Sequence, residues 1–164
     1  MSQLESDKPD PSLEQPTKRE ALKDEYLQLQ KTIDDFNQQS LTIKNWSVVF
    51  GFASIGVAFT AHREWVLLVS ALSAGTFWLL EGLWKSFQQA YYERVRHIEA
   101  YFRGDEPAPE PFQINTSFWA SFNVNRRRPV FGLVVRSWVY LPHLVVILIA
   151  LTLFALVKLS PFEV

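Results

Sequence analysis

The sequence predicts an all-α membrane protein with three transmembrane helices, the first two forming a long antiparallel hairpin that extends into the cytoplasm. Three observations predict it. Trp46–Ala61 and Trp65–Leu80 are runs without a charged residue, separated by the polar stretch His62-Arg63-Glu64, and Trp138–Val157 is a third such run. Trp46, Trp65, Trp84 and Trp138 stand at the ends of these runs, where the amphipathic indole ring favours the membrane–water interface. Apolar residues at heptad spacing precede the first run and follow the second, which predicts two paired helices outside the bilayer.

A span needs ~20 apolar residues. The third run meets that length, with Lys158 closing it. The first two are short at about 16 residues each, and they reach across if Lys44 and Lys85 snorkel outward. A 164-residue chain has no soluble layer large enough to cover three such runs. The composition hides this: mean hydropathy is +0.00 because polar segments offset the spans, and net charge is −1. The chain has no cysteine, which excludes disulfides, thiolate metal sites and thiol nucleophiles. The first apolar run begins too late for a secretory signal, so the chain is expected to insert through its own spans and keep its N-terminus.

Residues 1–17, with Pro9, Pro11 and Pro16 among polar residues, read as a disordered tail. Thr17 is a candidate N-cap, with Glu20 three residues on. The helical hairpin is expected over 18–104, with spans at about 46–61 and 65–84. The first arm carries Leu22, Tyr26, Leu29, Ile33, Phe36 and Ile43 at alternating spacings of four and three, with Ser40 in the one polar slot. No Pro or Gly interrupts it between Thr17 and Gly51.

The second arm repeats the pattern with Trp84, Phe87 (or Gln88), Tyr91, Val95, Ile98 and Phe102, and Gly104 supplies a stop. Folding at 62–64 places residue n opposite roughly residue 126 − n, so that Leu29 meets Ile98 and Phe36 meets Tyr91. Within lipid the seam continues as small residues: Ser47, Gly51, Ser54 and Ala58 on one arm, and Ser70, Ala71, Ala74 and Gly75 on the other. Close backbone approach at such positions is the expected contact between spans. The heptad seams fit packing within one subunit and between subunits equally well.

Residues 105–136 open with the acidic, Pro-rich linker Asp105–Pro111 and continue through Phe112, Phe118, Trp119 and Phe122 to the cluster Arg126, Arg127, Arg128. The expected arrangement is an interfacial segment, with rings in the headgroup layer and arginines on anionic lipid; nucleic acid is the weaker reading of the same residues and is not expected as a partner. The third transmembrane helix is expected over 137–159, with Pro129 suited to the first turn of that last helix and Pro142 expected to kink it at its cytoplasmic entrance. Asn45-Trp46-Ser47 and Asn115-Thr116-Ser117 match the glycosylation pattern but fall on the expected cytoplasmic side.

Orientation follows from the basic residues. Six Lys and Arg precede Trp46 and eight lie from Lys85 to Arg136, against Arg63 and Lys158 alone on the other side. The positive-inside rule then places the N-terminus and the 85–136 segment in the cytoplasm and the C-terminus outside, in a cell inner membrane.

No catalytic motif is present: there is no His-Glu-x-x-His, no phosphate loop and no serine elbow. His62, His97 and His143 share no ligand spacing. Neither an enzyme, a catalytic residue, a metal site nor a cofactor is expected. Glu81 is the one acid inside an expected span, and ionisable residues at such depth are functional candidates. The hairpin register sets it opposite Asn45, beside Lys44; Lys85 follows four residues on, and His143 lies at similar depth in the third span. These four, Glu81, Lys44, His143 and Lys85, form a candidate intramembrane polar cluster. It either fixes the hairpin register or, with Glu81 repeated around an axis, forms a gate.

The Leu22–Phe102 stretch, a cytoplasmic helix leading into a two-span hairpin and a charged helix returning, resembles the SLATT type of two-span effector of bacterial conflict systems. The resemblance implies a pore-forming effector; the third span departs from that pattern. Two functional readings stand: a self-associating, homo-oligomeric pore or membrane-disrupting effector, and a membrane anchor or assembly subunit for a cytoplasmic protein partner. The lipid bilayer is a partner in both.

Overall fold

A computed structural model of the protein describes residues 11–125, 132 and 135–159. These form four helices: α1 (Pro11–Thr60), α2 (Trp65–Arg103), α3 (Ile114–Asn125) and α4 (Ser137–Leu159). Three of them, α1, α2 and α4, are long and apolar enough to cross a membrane, which marks a membrane protein. Residues 1–10 of the expected tail lie outside the described residues. Its remainder is not a tail: α1 already begins at Pro11, where a proline suits the first helical turn because its missing N–H has no partner there anyway.

α1 and α2 form the long antiparallel hairpin. α1 ends where His62 turns left-handed (φ 53°), which lets Arg63 N–H donate to Ala58 C=O at 3.0 Å and His62 N–H to Phe59 C=O at 3.3 Å. Those two bonds cover carbonyls that a helix end leaves without partners. α2 stops in the same way at Gly104 (φ 87°), whose N–H reaches Tyr101, while Asp105 N–H reaches Ala100.

The two helices continue past the spans as a stalk, and its seam is filled from within the chain. Leu22, Leu29, Ile33, Val95 and Ile98 form one buried cluster, with Tyr26, Tyr91 and Tyr101 packed against it. Each such side chain contributes roughly 1.5–3 kcal/mol on burial. Phe36 meets Tyr91 at a ring distance of 5.6 Å, and also Trp84 at 5.0 Å.

α4 runs parallel to α1 along the spans. Its buried residues Val139, His143, Val146 and Ala150 recur at spacings of four and three, and they turn toward α1 and α2. A second cluster, Ile55, Ala58, Leu67 and Ala150, joins all three helices near the hairpin tip, where Lys158 pairs with Glu64. Pro142 lies inside α4, which runs through it.

The expected small-residue contacts divide. Ser47, Ala58, Ser70 and Ala74 are buried, and Ser70 Oγ–H donates to Gly51 C=O at 2.9 Å. A Cβ at Gly51 would overlap the side chain of Val146, so this glycine admits α4 rather than α2 alone. Ser54 and Ala71 are half-buried. Gly75 is not a close contact between helices, because among the described residues no atom beyond its own turn of helix lies within 4 Å of where its Cβ would be.

α3 packs on the stalk. Phe122 stacks on Phe87 at 5.4 Å, Phe118 lies 4.9 Å from Tyr91, and Ile114 packs on the stalk cluster. α3 therefore stands along the stalk, antiparallel to α2. Phe118 and Phe122 lie on the aromatic edge of α2, while Trp119 is exposed. Arg126, Arg127, Arg128 and Pro129 lie outside the described residues.

Candidate functional site

At the boundary between stalk and spans, the heptad positions of all three long helices turn polar together. α1 supplies Ser40, Lys44 and Ser47, one helical turn apart on one face; α2 supplies Glu81, and α4 supplies His143. Glu81 and His143 are both 0% exposed. The Glu81 carboxylate is held on both oxygens: Oε1 accepts from Ser40 Oγ at 3.0 Å and pairs with Lys44 Nζ at 3.1 Å, and Oε2 lies 3.0 Å from His143 Nε2. On the far side of the ring, His143 Nδ1 lies 2.7 Å from Ser47 Oγ. Facing a carboxylate, Nε2 is the donor; in the neutral imidazole Nδ1 then accepts from the Ser47 hydroxyl, and in the imidazolium it donates to it.

Three of the four expected residues, Glu81, Lys44 and His143, thus converge. Lys85 does not join them. Its Nζ turns away, one turn further along α2, and donates to Asn37 Oδ1 at 3.1 Å and Gln88 Oε1 at 2.9 Å. Asn45, expected opposite Glu81, is exposed; the register sets Ser40 and Lys44 there instead. Ser40 and Ser47 were the unexpected members. Their signal was present: Ser40 is the polar slot of the α1 seam, and Ser47 lies one heptad beyond it.

A second buried polar group lies further down the stalk. Arg94 Nε bonds Glu25 Oε1 at 2.7 Å, and its Nη2 reaches Glu25 Oε2 at 3.1 Å and Glu110 C=O at 2.6 Å. Glu25 Oε2 also accepts from the N–H of Phe112 at 2.8 Å, which holds that residue in a left-handed conformation (φ 62°). With the Lys18–Glu110 ion pair at 2.7 Å, this group ties the Pro-rich linker to the stalk and aims α3 back along it. Chemically, both polar groups are closed: each charged atom meets an opposite charge or a hydrogen-bonding group of the same chain. Among the described residues no three His, Asp or Glu side chains converge as a metal site would require.

Fold and site together define a class, a three-span helical membrane protein whose first two helices leave the bilayer as a stalk. No family model, curated protein or solved structure matches the chain.

Proposed function

We propose that the chain is a non-enzymatic, multi-pass protein of the inner membrane that anchors and orients a cytoplasmic stalk for a protein partner. The stalk and the N-terminus lie in the cytoplasm, and the hairpin tip and C-terminus lie outside. The observation that carries the anchoring role is the saturation of both polar and apolar seams within one chain. Glu81 has its partners on α1 and α4, and the stalk leucines and isoleucines face one another. A conducting ring built on Glu81 would have to break three contacts before it formed. What the stalk offers a partner is its outer surface, where Leu27 and Leu41 are 55% and 52% exposed. The sidedness rests on the fourteen basic residues of the stalk side against two at the tips.

A second reading is favoured by one specific observation. Gly56 and Gly75 lie inside spans where, among the described residues, no atom of another helix lies within 4 Å of a Cβ placed there, leaving small positions open for a second copy of the chain. With the likeness of Leu22–Phe102 to SLATT-type effectors, this supports a self-associating pore or membrane-disrupting effector.

One experiment separates the two: membrane potential in cells after induced expression, for the intact protein and for Glu81→Ala at equal membrane levels. The anchor reading expects no depolarisation by either. Depolarisation by the intact protein overturns it in favour of the effector, and loss of that effect in the variant would put Glu81 in the conducting path. Because the chain has no native cysteine, single cysteines at Gln30 and Arg63 report sidedness with an impermeant thiol reagent applied to intact cells. Labelling at 63 and protection at 30 is the expected pattern.

A further inference from the structure

Beside the Glu81 network, at the same boundary of stalk and spans, lies a polar cleft that the network does not use. A cavity of about 160 Å³ opens between α1, α2 and the start of α4; Asn37, Lys85, Gln88, Tyr92, Arg136 and Trp138 line it. Two of these are cations, and none of the residues around the cavity is an acid. Lys85 is held by two neutral carbonyl oxygens, and the Arg136 guanidinium lies over the ring of Trp138 at 5.3 Å.

Among the described residues neither cation forms an ion pair with a carboxylate. Glu81, one turn along α2 from Lys85, is already committed to Lys44, Ser40 and His143. The segment that carries Arg136 supplies no acid either, for none occurs between Glu110 and Glu163. Two like charges around one partly desolvated cleft repel, and an anion seated between them removes that repulsion.

We propose that this cleft holds the phosphate of an anionic phospholipid headgroup. Depth is what selects a lipid over a solute. Lys85 directly follows Trp84 and Arg136 stands two residues before Trp138, so both cations sit where two spans leave the hydrocarbon and where headgroup phosphates lie. The side-chain amide of Asn37 and the hydroxyl of Tyr92 add hydrogen-bond donors beside the charges, while the Gln88 amide donates to Ile33 C=O and Asn37 Oδ1 and fixes the wall of the cleft, which Trp138 also lines. The proposal rests on the membrane reading of the three spans and is independent of whether the protein is an anchor or an effector.

The test uses the full chain in nanodiscs of phosphatidylcholine containing phosphatidylglycerol. Retained lipid is counted by native mass spectrometry after release, and helix content is checked by circular dichroism. The intact protein is expected to retain phosphatidylglycerol in preference to phosphatidylcholine. At roughly a five-fold preference per basic residue near a lipid surface, Lys85→Gln with Arg136→Gln lowers that retention about thirty-fold. Lys85→Arg with Arg136→Lys keeps it.

Unchanged retention in the neutral double variant, or equal retention of the two lipids by the intact protein, overturns the proposal. If the double variant does not fold, Lys85→Gln alone reads the same quantity: a roughly five-fold loss supports the site and no loss overturns it. Inorganic phosphate titrated into pure phosphatidylcholine nanodiscs distinguishes the source. Stabilisation by phosphate equal to that given by phosphatidylglycerol would reassign the cleft to a soluble phosphate compound. A protein that leaves the membrane fraction without detergent would instead overturn the three spans themselves, a failure visible before any lipid is counted.

Discussion

Arg94 and Glu25 meet in a two-point contact across 69 positions of sequence, Nε to Oε1 at 2.7 Å and Nη2 to Oε2 at 3.1 Å, with side chains only 5% and 1% exposed. Both partners come from helices that are otherwise charged on their outer faces, and both are turned inward beneath the returning linker. Removing one leaves the other buried without its partner, which typically costs about 3–5 kcal/mol. Arg94→Ala and Glu25→Ala are each expected to lower the unfolding midpoint in detergent. The pair Glu25→Leu with Arg94→Met should recover most of that loss, while proteolysis within 105–112 accelerates because Phe112 N–H and Glu110 C=O lose their partners. A double variant as unstable as the singles would contradict this account.

Glu81 and His143 should not be equivalent. Glu81→Ala strands a fully buried imidazole and a half-buried ammonium and is expected to cost roughly 3 kcal/mol. His143→Gln leaves Glu81 its contacts to Lys44 and Ser40 and keeps most of the volume, so a cost of about 1 kcal/mol is expected. Thermal unfolding in one detergent at one pH ranks them; the reverse order would mean that His143, not Glu81, is the hub.

Gly51 is the place where α4 docks. Gly51→Val adds a side chain where Val146 already lies, and overpacking of this kind costs about 1–3 kcal/mol. The companion change Val146→Ala should restore stability and, with it, protection of the α4 amides from hydrogen exchange. Rescue is the decisive result, since mutations in direct contact are expected to be non-additive.

The aromatic attachment of α3 predicts a local effect. Phe118→Ala with Phe122→Ala removes the ring tilted against Tyr91 and the ring stacked on Phe87, a loss of about 2 kcal/mol or more. Hydrogen exchange should then rise across Ile114–Asn125, while α1 and α2 keep their protection. A uniform rise would show that α3 is part of the hairpin's own cooperative unit.

The hairpin was legible because its period is regular and its ends are marked: the heptads on both arms, the tryptophans at the span boundaries and Gly104 past the last helical residue all agree. Glu81, Lys44 and His143 were legible as a cluster because charge inside an apolar run is rare enough to be counted. Two things escaped. A slip of a few residues in the antiparallel register exchanged Asn45 for Ser40 and Lys44 opposite Glu81, and no local property of the chain sets that register; it follows from how bulky residues such as Phe36 and Trp84 settle together. Rings beside a basic cluster carry no sign of whether they face lipid or another helix, so the packing of Phe118 on Tyr91 and of Phe122 on Phe87 was not visible in the chain. Glu25 and Arg94 were hidden because charged residues on a helix are ordinarily solvated, and only the linker folding over them excludes water.

α1 has a mechanical consequence. Its 50 residues, at 1.5 Å each, make a rod about 75 Å long, with no proline between Thr17 and Thr60 and no interruption where it passes from water into lipid. Such a rod is a lever with its fulcrum at the bilayer surface. A sideways load on the far end of the stalk cannot be absorbed by a joint, so it arrives inside the membrane as a tilt of the first span, borne at the fulcrum by the Glu81, Lys44 and His143 contacts.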